Sequence, residues 1–257
     1  MKKRSITQPE SKTLFEASVD SSPEGLPLAE RMRPQTLDEI SGQDHLLAPG
    51  APLRRLLDKG IIPSMVLWGP PGCGKTTTAK AIAGCTPSQF TTLSAVTSGV
   101  GDLKKVAKEA EELKRFSGKR MILFVDELHR FNKAQQDCLL PFVESGLVTL
   151  IGATTENPSF ELNSALLSRC RVYVLNRVPP QAISQILENA MTSKRGLQRL
   201  GLTLSHEAKN ALEHSCHGDA RHALGSLEIS SELAHADGES EITLSHVERA
   251  SQRKLLL

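Results

Sequence analysis

Eight residues constrain this chain more than any others. Gly69-Pro70-Pro71-Gly72-Cys73-Gly74-Lys75-Thr76 fits the pattern G-x-x-x-x-G-K-[ST]. It stands between a short apolar run at 64–68 and a stretch that reads as a helix, which is the setting the pattern needs to hold phosphate. Its glycines let backbone N–H groups turn inward without a Cβ in the way. The start of the following helix adds positive potential for an anion. Lys75 is then placed for the β- and γ-phosphates and Thr76 for Mg²⁺, with Thr77 beside it. ATP and Mg²⁺ are the expected ligands.

A strand that feeds a helix through such a loop also predicts the architecture. Further apolar runs at 90–94, 121–125, 148–153 and 171–175 read as buried strands. Between two of them Leu103, Val106, Ala107, Ala110 and Leu113 form one apolar stripe at helical spacing. Strands alternating with helices imply an α/β domain with a parallel five-stranded sheet. From about residue 177 the pattern becomes helical, at 181–191, 205–215, 219–236 and 245–253, with Ser205 and Ser245 as expected N-caps. The expected organisation is a tail over 1–27, an ATP-binding domain over 28–176 and a small helical domain over 177–257. Within the tail only Leu14-Phe15 suggests a docking peptide.

Composition excludes several classes. With 39% hydrophobic residues and a net charge of +2, the 257 residues do not read as a wholly disordered chain. No run approaches the roughly 18 apolar residues of a membrane span. The basic start has no apolar stretch behind it, so no secretory signal is expected. Five cysteines without a C-x-x-C pair suggest neither a disulfide framework nor a zinc site, and point to the cytosol. His214, Cys216 and His217 read as ordinary surface.

The second half of the chemistry follows at 122–127. An apolar strand ends in Asp126 and Glu127, whose side chains alternate in direction. Asp126 can then serve the Mg²⁺ while Glu127 faces a water at the γ-phosphate. The strand at 148–153 runs into Thr154 and Thr155, where a hydroxyl could orient that water. Ser168-Arg169-Cys170 and Gly218-Asp219-Ala220-Arg221 add two arginines; one that reaches a transferring phosphoryl is worth roughly 10³–10⁵ in rate.

Taken in order, these motifs resemble an AAA+ ATPase of the clamp-loader group. The run from Asp126-Glu127-Leu128-His129-Arg130-Phe131 to Asn132-Lys133-Ala134-Gln135-Gln136-Asp137 is similar to that of the RarA/MgsA family, the replication-associated recombination proteins. The eukaryotic counterpart is the Werner helicase-interacting protein. Leu28-Ala29-Glu30-Arg31-Met32-Arg33-Pro34, residues 94–100 and residues 151–163 extend the likeness.

The resemblance makes the helical domain a lid. It implies Thr155 as the sensor-1 residue, with Asn157 as the alternative, Arg169 as an arginine finger acting on a neighbouring subunit, and Arg221 as sensor 2. Residues 33–46 would pack on adenine. It further implies a DNA-stimulated ATPase at stalled or gapped forks, a homo-oligomer, a link to single-stranded DNA-binding protein, and a cytoplasmic, nucleoid-associated location without a membrane. Cys73 stands where that family has Thr, which suggests sensitivity to oxidation. The family also continues into a C-terminal collar, and its absence before Leu257 is expected to weaken assembly. An ATP-binding adapter with little turnover, a clamp-loader subunit and a branch-migration motor stay open as alternatives; a P-loop kinase lacks the pairing of Glu127 with Arg169.

Overall fold

The computed structural model describes residues 25–254. The Leu14-Phe15 pair and nearly all of the expected tail lie outside the described residues. Helices α1 (Leu28–Arg31), α2 (Asp44–Leu47) and α3 (Pro52–Leu57) lead into strand β1 (Met65–Trp68). There follow α4 (Lys75–Gly84), β2 (Gln89–Ser94), α5 (Val100–Ser117), β3 (Met121–Asp126), α6 (Lys133–Glu144) and β4 (Val148–Thr154). Short α7 (Pro158–Glu161) and α8 (Ser164–Leu167) precede β5 (Arg171–Val174). The five strands form one parallel sheet in the order β2-β3-β4-β1-β5.

Alternation along the strands sends side chains to two cores, one on each face of the sheet. Met65 and Leu67 of β1 join Ile122, Phe124, Ile151 and Ala153 beneath α3 and α4. Val66 joins Leu123, Val125 and Leu150 beneath α5 and α6. The α5 stripe packs as its spacing predicts: Leu103, Val106 and Ala110 are buried in this second core and Leu113 lies against it. Gly118, at φ 66°, ends the helix in the left-handed conformation that glycine adopts without strain.

The lid comprises α9 (Pro180–Thr192), β6 (Thr203–Leu204), α10 (His206–Ser215), α11 (Ala220–Ala236), β7 (Glu241–Ile242) and α12 (Leu244–Lys254). Its core takes Ile183, Leu187, Leu212, Leu227 and Val247, and it also takes Leu28 of α1, which is fully buried there. The N-terminal segment thus spans both bodies. Leu28 N–H donates to Glu228 Oε1 of α11 (2.8 Å), while Leu53 and Leu57 of α3 pack on the sheet.

Two details differ from the sequence reading. Ser205 caps α10 as expected, accepting from Ala208 N–H, but Ser245 lies inside α12. The residue ahead of that helix is Thr243, whose N–H donates to Nδ1 of His246 three positions on. The two-residue strands β6 and β7 pair in parallel and are too short to show a period.

Candidate functional site

In a parallel sheet every strand ends on the same edge, and β1, β3 and β4 are neighbours there. β1 runs into the glycine-rich loop, β3 ends in Asp126, and Thr155 follows β4. The start of α11 closes over them from the lid. Between these elements lies a cleft of about 740 Å³, lined by residues 71–77, Asp126, Glu127, Thr155 and Arg221. A volume of this order suits a small-molecule ligand.

The loop is shaped for an anion. Gly72 and Gly74 sit at φ 67° and 96°, and α4 begins at Lys75, directly after Gly74. Lys75 is nearly buried and its Nζ donates to the carbonyls of Gly69 (2.8 Å) and Pro70 (2.9 Å), so the loop holds its own lysine in place. A Cβ on Gly72 would fall 1.9 Å from Asp219 Oδ1. That carboxylate also caps α11 by accepting from His222 N–H, so loop and lid meet at one glycine.

Cys73 is buried, and burial pushes its thiol up from the ordinary range. That direction runs against the oxidation sensitivity expected from sequence, because the thiolate is the reactive form.

The carboxylates take different postures. Asp126 Oδ1 accepts from Glu127 N–H at 3.2 Å. Glu127 has φ 53°, one of two non-glycine residues with positive φ among the described residues. Oxygen donors from Thr76 and Asp126 both line the cleft, which is the donor type that a Mg²⁺ ion takes.

The rest of the cleft has mixed walls, with polar side chains such as Asp38, Gln185 and Asn189 beside apolar ones. Met32 and Ile40 come from the N-terminal segment, Val178, Ile186 and Leu224 from the lid side. Arg33, Pro34 and Glu39 also line it, from the stretch expected beside a base.

Not every expected residue converges here. Arg169 is exposed and outside the cleft. It pairs with Glu144 of α6 and donates to Ala165 O (2.7 Å) and Ser168 Oγ (2.9 Å). β5 starts at Arg171, which pairs with Met65 at the start of β1. Arg169 therefore lies at the opposite end of the strands from the loop, about 10 Å away along β1 alone at 3.3 Å per residue. Asn157 spends its side chain on capping α7, accepting from Ser159 N–H (3.0 Å).

Two residues at the site escaped the sequence reading. Gln43 is fully buried; its Nε2 donates to Cys73 O (3.3 Å) and Asn176 O (2.8 Å), and its Oε1 accepts from Asn176 N–H (3.1 Å). It ties the phosphate loop to the strand that leads into the lid. His129, in the single turn after β3, lies 2.9 Å from Thr154 Oγ1 and 3.4 Å from Glu127 Oε2 through the same Nδ1.

Comparison with known proteins places this geometry. Residues 65–178 match the ATPase family associated with various cellular activities (AAA), and residues 205–252 match the Cdc6 AAA+ ATPase-type lid domain. Replication-associated recombination protein A of Escherichia coli (strain K12) is 51% identical over 212 residues, 82% of this chain and 47% of that protein. The Bacillus subtilis (strain 168) protein of the same name is 42% identical over 231 residues, 89% of this chain and 54% of its own length. ATPase WRNIP1 of Dictyostelium discoideum is 44% identical over 203 residues, 79% of this chain and 23% of its own. The chain spans about half the length of the bacterial relatives it matches. Among solved structures, the Thermotoga maritima RuvB Holliday junction branch migration motor aligns with a TM-score of 0.70 at 25% identity, over 86% of this chain and 72% of that one.

Proposed function

The chain belongs to the AAA+ ATPases of the replication-associated recombination protein A family, and from that premise we propose that it hydrolyses ATP and uses the energy on DNA at stalled or gapped replication forks. The observation that carries the reading is the convergence of Lys75, Thr76, Asp126, Glu127, Thr155 and Arg221 on one cleft from separate elements.

In this reading the residues divide the work. N–H groups of the loop and Lys75 hold the phosphates, and the part of the cleft lined by Met32, Ile40, Val178, Ile186 and Leu224 takes the base. Thr76 and Asp126 hold Mg²⁺, which supplies charge neutralisation on the phosphates. Glu127 accepts a proton from the attacking water as the bond from phosphorus to the ADP oxygen breaks, giving ADP and phosphate. Thr155 orients that water; Asn157, engaged as a cap, is the weaker choice. Arg221 reaches the γ-phosphate from the lid.

Arg169 acts on a neighbouring subunit's nucleotide, since its own cleft is at the far end of the strands. This implies a homo-oligomer built through AAA+ contacts. DNA with single-stranded gaps, single-stranded DNA-binding protein and a nucleoid setting complete the proposal. Among the described residues no helix is long and apolar enough to cross a membrane.

The test is steady-state ATP hydrolysis by this chain with and without gapped DNA, beside Glu127→Gln. Turnover that rises with DNA and is lost in the variant is expected. ATP binding without turnover would instead favour an ATP-binding adapter.

A further inference from the structure

Glu127 is held in an unfavourable posture. Its left-handed backbone is strained for a non-glycine residue, and its carboxylate is 37% exposed, free to swing unless something fixes it. His129 is placed to do so. Its side chain is 9% exposed, and one ring nitrogen faces two oxygens, Thr154 Oγ1 and Glu127 Oε2.

One placement of hydrogens makes every contact of this cluster attractive. An ionised carboxylate only accepts, so the 3.4 Å approach to Glu127 Oε2 is favourable with the hydrogen on Nδ1. Thr154 Oγ1 accepts from Glu156 N–H (3.0 Å) and has one hydrogen of its own, which goes to Glu156 O (3.2 Å). That hydroxyl then accepts from the same Nδ1–H, leaving every polar group of a fully buried threonine satisfied.

Thr154 is the last residue of β4, and the next one, Thr155, lines the cleft. One peptide bond therefore separates the proposed γ-phosphate sensor from the hydroxyl that holds His129. Any shift of the β4 tip moves Thr155 and the His129 anchor together.

We propose that His129 is a positioning residue that couples the tip of β4 to Glu127, setting where the carboxylate sits when water is attacked. The proposal rests on the reading of Glu127 as the base in ATP hydrolysis. A histidine that merely filled the core would support folding and leave rate and affinity linked.

Single-turnover hydrolysis and ATP affinity are measured for His129→Leu, His129→Asn, Glu127→Gln and the pair Glu127→Gln with His129→Leu. A misplaced reacting group can cost on the order of 10² in rate, so His129→Leu should slow turnover by that order. ATP affinity should stay within about twofold, the mark of an interaction used in the reaction and not in binding. His129→Asn, which keeps a donor near the Nδ1 position, should recover most of the loss. The double variant should be no slower than Glu127→Gln alone, because His129 works through that carboxylate.

A wild-type rate in His129→Leu, equal losses of affinity and rate, or multiplying effects in the double variant would overturn the proposal. Full turnover by Glu127→Gln overturns the reading of Glu127 itself, a separate result. The imidazole can also be read without turnover. Long-range ¹H–¹⁵N correlation should show a hydrogen on Nδ1 of His129, and the Nε2–H tautomer alone would overturn the assignment.

Discussion

The phosphate end of the cleft and the surface around Arg169 belong to one sheet and behave oppositely. At the phosphate end, neighbouring strand ends and the start of α11 bring together Lys75 and Arg221, 146 positions apart. At the other end Arg169 lines no such cleft among the described residues and rests on Glu144. On the proposed reading, the difference means that the parallel sheet gathers one end of the reaction in its own chain and leaves Arg169 to meet a second copy.

The sharpest way to break that contrast is Arg169→Ala. Loss of an arginine acting on a transferring phosphoryl should lower turnover by roughly 10³, with ATP affinity unchanged. Loss of binding as well would place Arg169 at its own cleft and end the comparison. Mixing Arg169→Ala with Lys75→Ala chains should restore part of the turnover, because the first keeps a whole cleft and the second a whole arginine.

Lys75→Ala probes the other side. Removing a charged hydrogen-bond partner of the phosphates, worth about 1.5–3 kcal/mol, should weaken ATP binding by roughly 10–100-fold. Equilibrium binding of ATP reads this directly, and unaltered affinity would remove the loop from the site.

Much of this cleft was legible in sequence because its chemistry sits in contiguous residues. The glycine-rich loop, the Asp126-Glu127 pair and Thr155 just after β4 carry their proposed roles in type and order. Gln43 carries nothing of the kind: its partners are backbone groups of Cys73 and Asn176, 30 and 133 positions away. A backbone carbonyl has no sequence signature, so only the fold shows the link. The environment of Cys73 is hidden for a related reason, since the burial that pushes its thiol up comes from tertiary packing. Leu28 sits in the lid core for the same reason, although the chain pattern joins it to the segment that follows.

Gln43→Leu turns that hidden link into a measurement. The substitution leaves buried groups of Cys73 and Asn176 without partners, at about 1–3 kcal/mol in total cost. For a chain of this size the melting temperature should fall by roughly 2–4 °C for each kcal/mol. ATP should recover part of the lost stability, because binding to the cleft draws the loop and lid together. A melting point that does not move would mean that Gln43 is not what joins them.

The smallest expected effect tests how firmly Arg169 is held at home. Its pair with Glu144 is exposed, 36% and 48% on the two side chains, and exposed pairs are worth about 0–1 kcal/mol. Breaking it by Glu144→Ala removes at most that amount of competition with a neighbour's phosphate. The protein concentration at half-maximal turnover should therefore drop by no more than about fivefold, since 1.4 kcal/mol corresponds to tenfold. A drop beyond tenfold would make the Glu144 contact a genuine latch on Arg169, and the two ends of the sheet would then differ in regulation as well as in position. A rise instead would show that Glu144 presents the arginine to the neighbour.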